Sequence, residues 1–311
     1  MSLWQRTFDS LRYRVCDGWR RLLPRRLPGN RHARVLLPLD YPPSRLARSR
    51  WGTAQPRIPA LVTLFDLGAP AQARMLDGLQ RFKPELGRIG RRYSRRGPAV
   101  PGWLGGAVTP IDAALLYVFI RDYRPKTYLE IGSGVSTCFA RRAITDGGLA
   151  TRIVSIDPDP RAAINEICDE IVRDGLETVD LAIFDRLEAG DIVFLDGSHR
   201  SFMNSDVTVF MIDVLPRLKP GVIVHVHDIF LPDDYPDAFR TWYWNEQYLL
   251  AVYLMGHRDR IDVLMPSYYM SLQSKFAPIL ASPPVDLGRR NDGWRHGGSL
   301  WFTHTASFDR A

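Results

Sequence analysis

Cysteine is scarce, with 3 in 311 residues, at positions 16, 138 and 168. Thiols so few and so scattered exclude a disulfide framework and a metal-spaced cysteine cluster, and they suit a reducing cytoplasm. Long apolar runs are also missing. No stretch reaches the roughly 18 residues of a spanning helix, and charges interrupt the N-terminal region where a secretory leader would carry its apolar core. There is no internal repeat. Acidic residues are short in one region only. Residues 1–98 hold 21 Lys/Arg against 6 Asp/Glu, a net of +15, whereas residues 99–311 hold 20 against 28, a net of −8. The reading is a basic extension over 1–98 followed by a mildly acidic α/β domain over 99–311. With 45% hydrophobic residues, the chain suffices for one such core plus an extension.

Within the extension, Trp4, Phe8, Leu11, Val15, Trp19 and Leu22 form one helical stripe, with Arg6, Arg12, Arg14, Arg20 and Arg21 around the other sides. A basic amphipathic helix of this kind lies on an anionic membrane surface or packs against protein. The arm lacks a recognition-helix or base-stacking signature, which argues against nucleic acid. The expected setting is cytoplasmic, with residues 1–24 able to bring the chain to the inner face of a membrane. Pro24 to Pro59 reads as a Pro/Arg-rich connector, and residues 60–90 as helical.

A regular alternation follows Thr109. Ile111, Leu115, Val118 and Phe119 recur at helical spacing until Pro125. Strands are predicted at Thr127–Ile131, Ile153–Ile156 and Asp191–Leu195, at Val222–Val226, and more weakly at Val179–Ile183. Helices are predicted between them, including one with Ile164, Ile167, Cys168, Ile171 and Val172 on one face. A helix from Ala238 to Met255 precedes strands at Ile261–Met265, with a continuation near Tyr268, and at Ser299–Thr303. Strands alternating with amphipathic helices imply a doubly wound, seven-stranded, mostly parallel sheet, and the long final connection implies an antiparallel last strand.

Chemistry-bearing residues fall at the carboxyl ends of these strands, where open α/β sheets bind ligands. Glu130-Ile-Gly132-Ser133-Gly134-Val-Ser136-Thr137 supplies two glycines for close backbone approach, then a helix N-terminus. Asp157, 23 residues after Gly134 at the next strand end, suits the two hydroxyls of a ribose. A dinucleotide site would want a third glycine where Thr137 stands, and Glu130 would repel a pyrophosphate. Both residues disfavour a nucleotide-dependent oxidoreductase and favour a nucleoside with a cationic amino-acid tail, which describes S-adenosylmethionine.

The segments Tyr128-Leu-Glu-Ile-Gly-Ser-Gly, Ser155-Ile-Asp-Pro-Asp-Pro-Arg, Phe194-Leu-Asp-Gly-Ser-His-Arg, Val224-His-Val-His-Asp-Ile-Phe-Leu-Pro and Glu246-Gln-Tyr-Leu-Leu resemble a bacterial class I methyltransferase group of the methyltransferase family 24 type. The resemblance runs in order from Trp103 to Phe302. It implies that Glu130, Gly132, Ser133, Gly134, Ser136 and Thr137 line the methionine end of S-adenosylmethionine, with Asp157 at the ribose and Asp196 beside the cofactor. Val135 departs from the small polar residue common there.

Asp196, His199, His227 and Asp228 read as the reaction centre, because methyl transfer needs an acceptor that loses its proton as it attacks. His199 or His227 would take that proton, with Asp228 beside them. The arrangement also resembles catechol-type and sugar O-methyltransferases, which implies a divalent ion, magnesium or manganese, on Asp196, His227 and Asp228. Histidine where an acid is usual departs from magnesium's all-oxygen preference. His225, pointing opposite to its neighbours in the strand, reads as a hydrogen-bonded core histidine, and Asn204 or Ser205 as a helix cap. Trp242-Tyr243-Trp244 and Tyr248 read as half core and half stacking wall for a sugar ring. Glu246 reads either as an assistant to a base or metal or as a surface carboxylate. The resulting expectation is O-methylation of a hydroxylated acceptor, a small molecule or glycan such as a saccharide or surface-polymer precursor. A non-catalytic S-adenosylmethionine-binding scaffold docking through the basic arm is the alternative.

Overall fold

Seven segments, five of them apolar runs that end in or at Gly, Asp or His, form the sheet of the protein. The computed structural model describes residues 49–306 apart from 53, 94–98, 105–106, 161–162 and 289–291. The amphipathic stripe over 1–24 and the connector up to residue 48 lie outside the described residues.

Helices α1 (Pro59–Leu67), α2 (Ala69–Arg81) and α3 (Lys83–Leu86) come first, each with proline in its first turn, where no amide hydrogen is needed. Gly68 joins α1 to α2 because a Cβ there would sit 2.1 Å from the carbonyl oxygen of Val263. A small parallel pair, β1 (Gly90–Arg92) and β2 (Gly102–Leu104), follows. Helix α4 (Pro110–Tyr123) is capped by Thr109, whose hydroxyl oxygen accepts from the Asp112 amide, and it ends at Arg124 in the left-handed region before Pro125.

Next come β3 (Thr127–Ile131), α5 (Val135–Asp146), β4 (Arg152–Ile156), β5 (Glu170–Val172), β6 (Ile192–Leu195), α6 (Asp206–Val209), β7 (Ile223–His227), α7 (Glu246–Gly256), β8 (Ile261–Pro266), α8 (Ser267–Ser271) and β9 (Ser299–His304). The sheet order is β5-β4-β3-β6-β7-β9-β8. Only β9 runs against its neighbours, β7 and β8. The chain order reverses between β3 and β6, so their carboxyl ends flank the crevice where ligands bind in open α/β sheets.

Both faces of the sheet are covered. Tyr128, Ile153, Phe194, Ile223 and Trp301 pack with α2, α4 and α5 on one side, while Leu129, Val154, Val193, Val224 and Phe302 pack with α1, α7 and the segment after α6 on the other. Adjacent residues of one strand therefore reach opposite cores, as buried parallel strands require. Helices α1 to α3 share these two cores, so the helical part of the extension is continuous with the domain, and the compact unit begins at Ser49.

Four local expectations are corrected. The helix after Asp157 is absent: a turn at 165–167 leads directly into edge strand β5. Pro158 and Pro160 obstruct a helix there, and the β-branched Ile and Val residues suit a strand beside β4. The weak strand at 179–183 is replaced by 3-10 turns, Leu176–Thr178 and Leu181–Arg186. The 238–255 helix is divided into a 3-10 segment, Asp237–Trp242, and α7, with Tyr243 at φ +54° between them. Near Tyr268 the chain turns into α8 instead of continuing β8. Among the described residues no helix is long and apolar enough to cross a membrane.

Candidate active site

The bend after β3 brings two strand tips into contact. Gly132 has φ +82°, and a Cβ there would lie 2.0 Å from the carbonyl oxygen of Asp196 at the tip of β6. Only glycine fits. The Ser133 amide donates to Asp157 Oδ2 at 2.6 Å and the Asp159 amide to Oδ1 at 2.8 Å, so Asp157 is braced against the bend.

Glu130 sits beneath this bend, fully buried. Its carboxyl accepts from the Ser136 hydroxyl, from Thr137 Oγ1 at 2.5 Å and from the Tyr128 hydroxyl at 3.3 Å. The Gly134 amide in turn donates to Thr137 Oγ1 at 3.0 Å. Ser136 and Thr137 thus spend their hydroxyls on Glu130, and burial lifts the Glu130 carboxyl to about 8 despite those bonds.

The second feature lies at the tips of β6 and β7. Asp196, His227 and Asp228 each present a ligand-type atom, all within 4.8 Å of one another. His227 Nδ1 is 3.7 Å from Asp196 Oδ1 and 3.6 Å from Asp228 Oδ1, and Nε2 is 3.7 Å from Asp112 Oδ2. His227 is buried, and neither ring nitrogen has a hydrogen-bond partner among the described residues. Burial alone would lower its pKa, but Asp228, Asp196 and Asp112 outweigh that and raise it to about 10. The carboxylates therefore call for positive charge at this point. Two carboxylates and an imidazole with unsatisfied nitrogens are a donor set that fits a divalent ion.

His199 closes the cluster from the other side. Its Nε2 is 3.5 Å from both Asp196 Oδ1 and Asp228 Oδ2, and its Nδ1 is 2.9 Å from Glu246 Oε2. Burial lowers its pKa, and Glu246, Asp196 and Asp228 more than offset this, leaving it above the ordinary histidine value. Its ring lies 4.1 Å from that of Trp244, and its carbonyl accepts from the Asn245 amide at 3.0 Å. The loop carrying His199 is tied down by Asp206, which accepts from the Ser198 amide at 2.6 Å and hydroxyl at 2.5 Å. His199 and Asp228 have φ of +59° and +56°, a conformation that costs non-glycine residues about 1–2 kcal/mol and that clusters at functional sites.

All four expected reaction-centre residues are therefore brought together. His225 is the core histidine expected, with Nε2 3.0 Å from Ser299 Oγ and its ring stacked 3.6 Å from Trp301. Ser205 is the helix cap, accepting from the Thr208 amide at 3.3 Å. Glu246 is fully buried, which removes the surface-carboxylate reading. Trp244 packs on His199 and Phe239, while Trp242 and Tyr243 are 46% and 45% exposed, so the aromatic run is part core and part open surface. Asp112 was not anticipated. Thr109 and Asp112 look in sequence like an ordinary helix start, which they also form, and nothing local shows that the carboxylate continues to β7.

A family model described as a methyltransferase domain matches residues 129–229. No curated protein matches the chain. Among solved structures, the SAH-bound methyltransferase PaMTH1 of Podospora anserina is 22% identical, covering 61% of this chain and 83% of its own, with a TM-score of 0.38. The O-methyltransferase from Bacillus cereus in complex with SAH is 14% identical, covering 75% and 90%, with a TM-score of 0.40. Residues 129–229 contain the glycine bend, Asp157, Asp196, His199, His227 and Asp228, so the segment similar to a methyltransferase domain carries the candidate site, on a sheet of the expected mostly parallel, Rossmann-like order.

Proposed function

We propose that the protein transfers the methyl group of S-adenosylmethionine to an oxygen of a hydroxylated acceptor, a saccharide or surface-polymer precursor. The observation that carries this reading is the convergence of Asp196, His199, His227 and Asp228 at the strand tips beside the Gly132 bend. Asp157 holds the ribose hydroxyls. The main chain of Gly132, Ser133 and Gly134 lies along the methionine portion, with Glu130, Ser136 and Thr137 fixing the bend from below and Asp196 bordering it.

S-adenosylmethionine supplies an electrophilic methyl carbon on a sulfonium, and a divalent ion held by Asp196, His227 and Asp228 would supply Lewis acidity that lowers the acceptor hydroxyl's pKa. The protein's own groups do the rest. The acceptor hydroxyl is seated in the gap bounded by Asp196, His199 and Asp228. Its oxygen attacks the methyl carbon, the carbon–sulfur bond breaks with its electrons returning to sulfur, and the proton passes to His199 Nε2. Glu246, bonded at Nδ1, keeps that nitrogen turned to the gap. The exposed faces of Trp242 and Tyr243 offer stacking surface suited to a sugar ring.

The test pairs two variants. Asp157→Ala should lose S-adenosylhomocysteine binding by calorimetry. Asp228→Asn should keep that binding and lose about 100-fold or more in methyl transfer to a panel of saccharides, read by mass spectrometry. Full transfer by Asp228→Asn, or unchanged binding by Asp157→Ala, refutes the assignment.

A further inference from the structure

Two histidines of strand β7 have different environments. His225 is hydrogen-bonded through Nε2 and stacked on Trp301, with Nδ1 alone lacking a partner among the described residues, and burial pulls its pKa far down, as in a structural histidine. His227, two residues on and equally buried, satisfies neither ring nitrogen among the described residues. Its Nδ1 faces Asp196 and Asp228, and its Nε2 faces Asp112. Asp112 is itself fully buried and held in place. Its Oδ2 accepts from Thr109 Oγ1 at 2.7 Å and from the Gly298 amide at 2.8 Å, and its Oδ1 accepts from Ser267 Oγ at 2.6 Å. A buried carboxylate behind one nitrogen, with two further carboxylates before the other, is the pattern of a metal-ligating imidazole and its outer partner.

Resting on the reaction centre proposed above, we infer that the ion of this site is a nitrogen-accepting transition ion of the manganese, iron, cobalt or zinc class, bound through His227 Nδ1, and that Asp112 is the positioning residue that orients the imidazole. Magnesium requires oxygen ligands in near-ideal octahedral geometry and gains little from an imidazole. First-row transition ions accept mixed nitrogen and oxygen donors and bind them more strongly. Asp112 reaches the site from α4, outside the segment that carries every ligand, so ion preference is set partly from outside that segment.

The experiment uses the full chain, stripped with a chelator and titrated separately with Mn(II) and Mg(II). Mn(II) should bind about tenfold or more tightly than Mg(II). Electron spin-echo modulation of bound Mn(II) should show coupling to an imidazole nitrogen. His227→Asp, which supplies an all-oxygen set, should abolish that coupling and reduce the Mn(II)/Mg(II) preference about tenfold or more. Asp112→Asn should weaken Mn(II) binding by about 10–100-fold while S-adenosylhomocysteine binding stays unchanged. If Asp112→Asn does not fold, His227→Asp decides alone. Equal affinities in the wild type, no nitrogen coupling, or coupling that persists in His227→Asp overturns the inference. Calorimetry with S-adenosylhomocysteine on the same samples shows separately whether the cofactor site survives.

Discussion

At the scale of single residues, one carboxyl group does two incompatible-looking things. Glu130 is buried without a cation, yet it organises the bend by accepting three hydroxyl bonds. Burial raises it from an ordinary 4.5 to about 8, so the folded protein holds a proton there that the unfolded chain has already released at neutral pH. The resulting stability is fully present below the unfolded value and is lost as pH rises through the folded one. Thermal melts between about pH 5 and pH 9 should show the wild type's midpoint falling more steeply than that of Glu130→Gln, which keeps the shape without the titration. Parallel slopes would mean that Glu130 is not the group responsible. The convergence of Asp196, His199, His227 and Asp228 was legible in sequence because each follows a recognisable strand and strand tips converge in this architecture. Asp112 was not, because its link to His227 is a contact between distant segments.

At the scale of elements, the strands were easier to read than the helices. β3, β4, β6, β7 and β9 announce themselves through apolar runs ending in Gly, Asp or His. The helix predicted after Asp157 was misread because Ile164, Ile167 and Ile171 fit a helical period while their β-branched shape and the preceding prolines favour an extended edge. The helix predicted between β6 and β7 is a short α-turn passing into π and 3-10 turns, with Val207, Phe210, Met211, Val214 and Leu215 buried. A helix this irregular depends on its start. Ser205→Ala removes the cap and should cost about 1 kcal/mol, measured by urea unfolding. A change below a few tenths would show that Asp206 and the packing hold the segment without it.

At the scale of the molecule, charge is segregated: net +15 in residues 1–98 and net −8 beyond. Each cation near an anionic surface contributes about 1 kcal/mol, attenuated by salt within a Debye length. We propose that residues 1–24 carry the protein to such a surface. Deleting them should abolish sedimentation with phosphatidylserine-containing vesicles at about 0.1 M salt and leave methyl transfer unchanged. Unaltered sedimentation would assign the arm to a protein contact.

The two acids that face the histidines from behind, Asp112 and Glu246, come from before and after the stretch that holds Asp196, His199, His227 and Asp228. Transplanting residues 129–229 into another scaffold would carry over Asp196, His199, His227 and Asp228 without the two carboxylates that face the histidines from outside that stretch. A variant confined to 129–229 therefore leaves two of the groups nearest these imidazoles untouched.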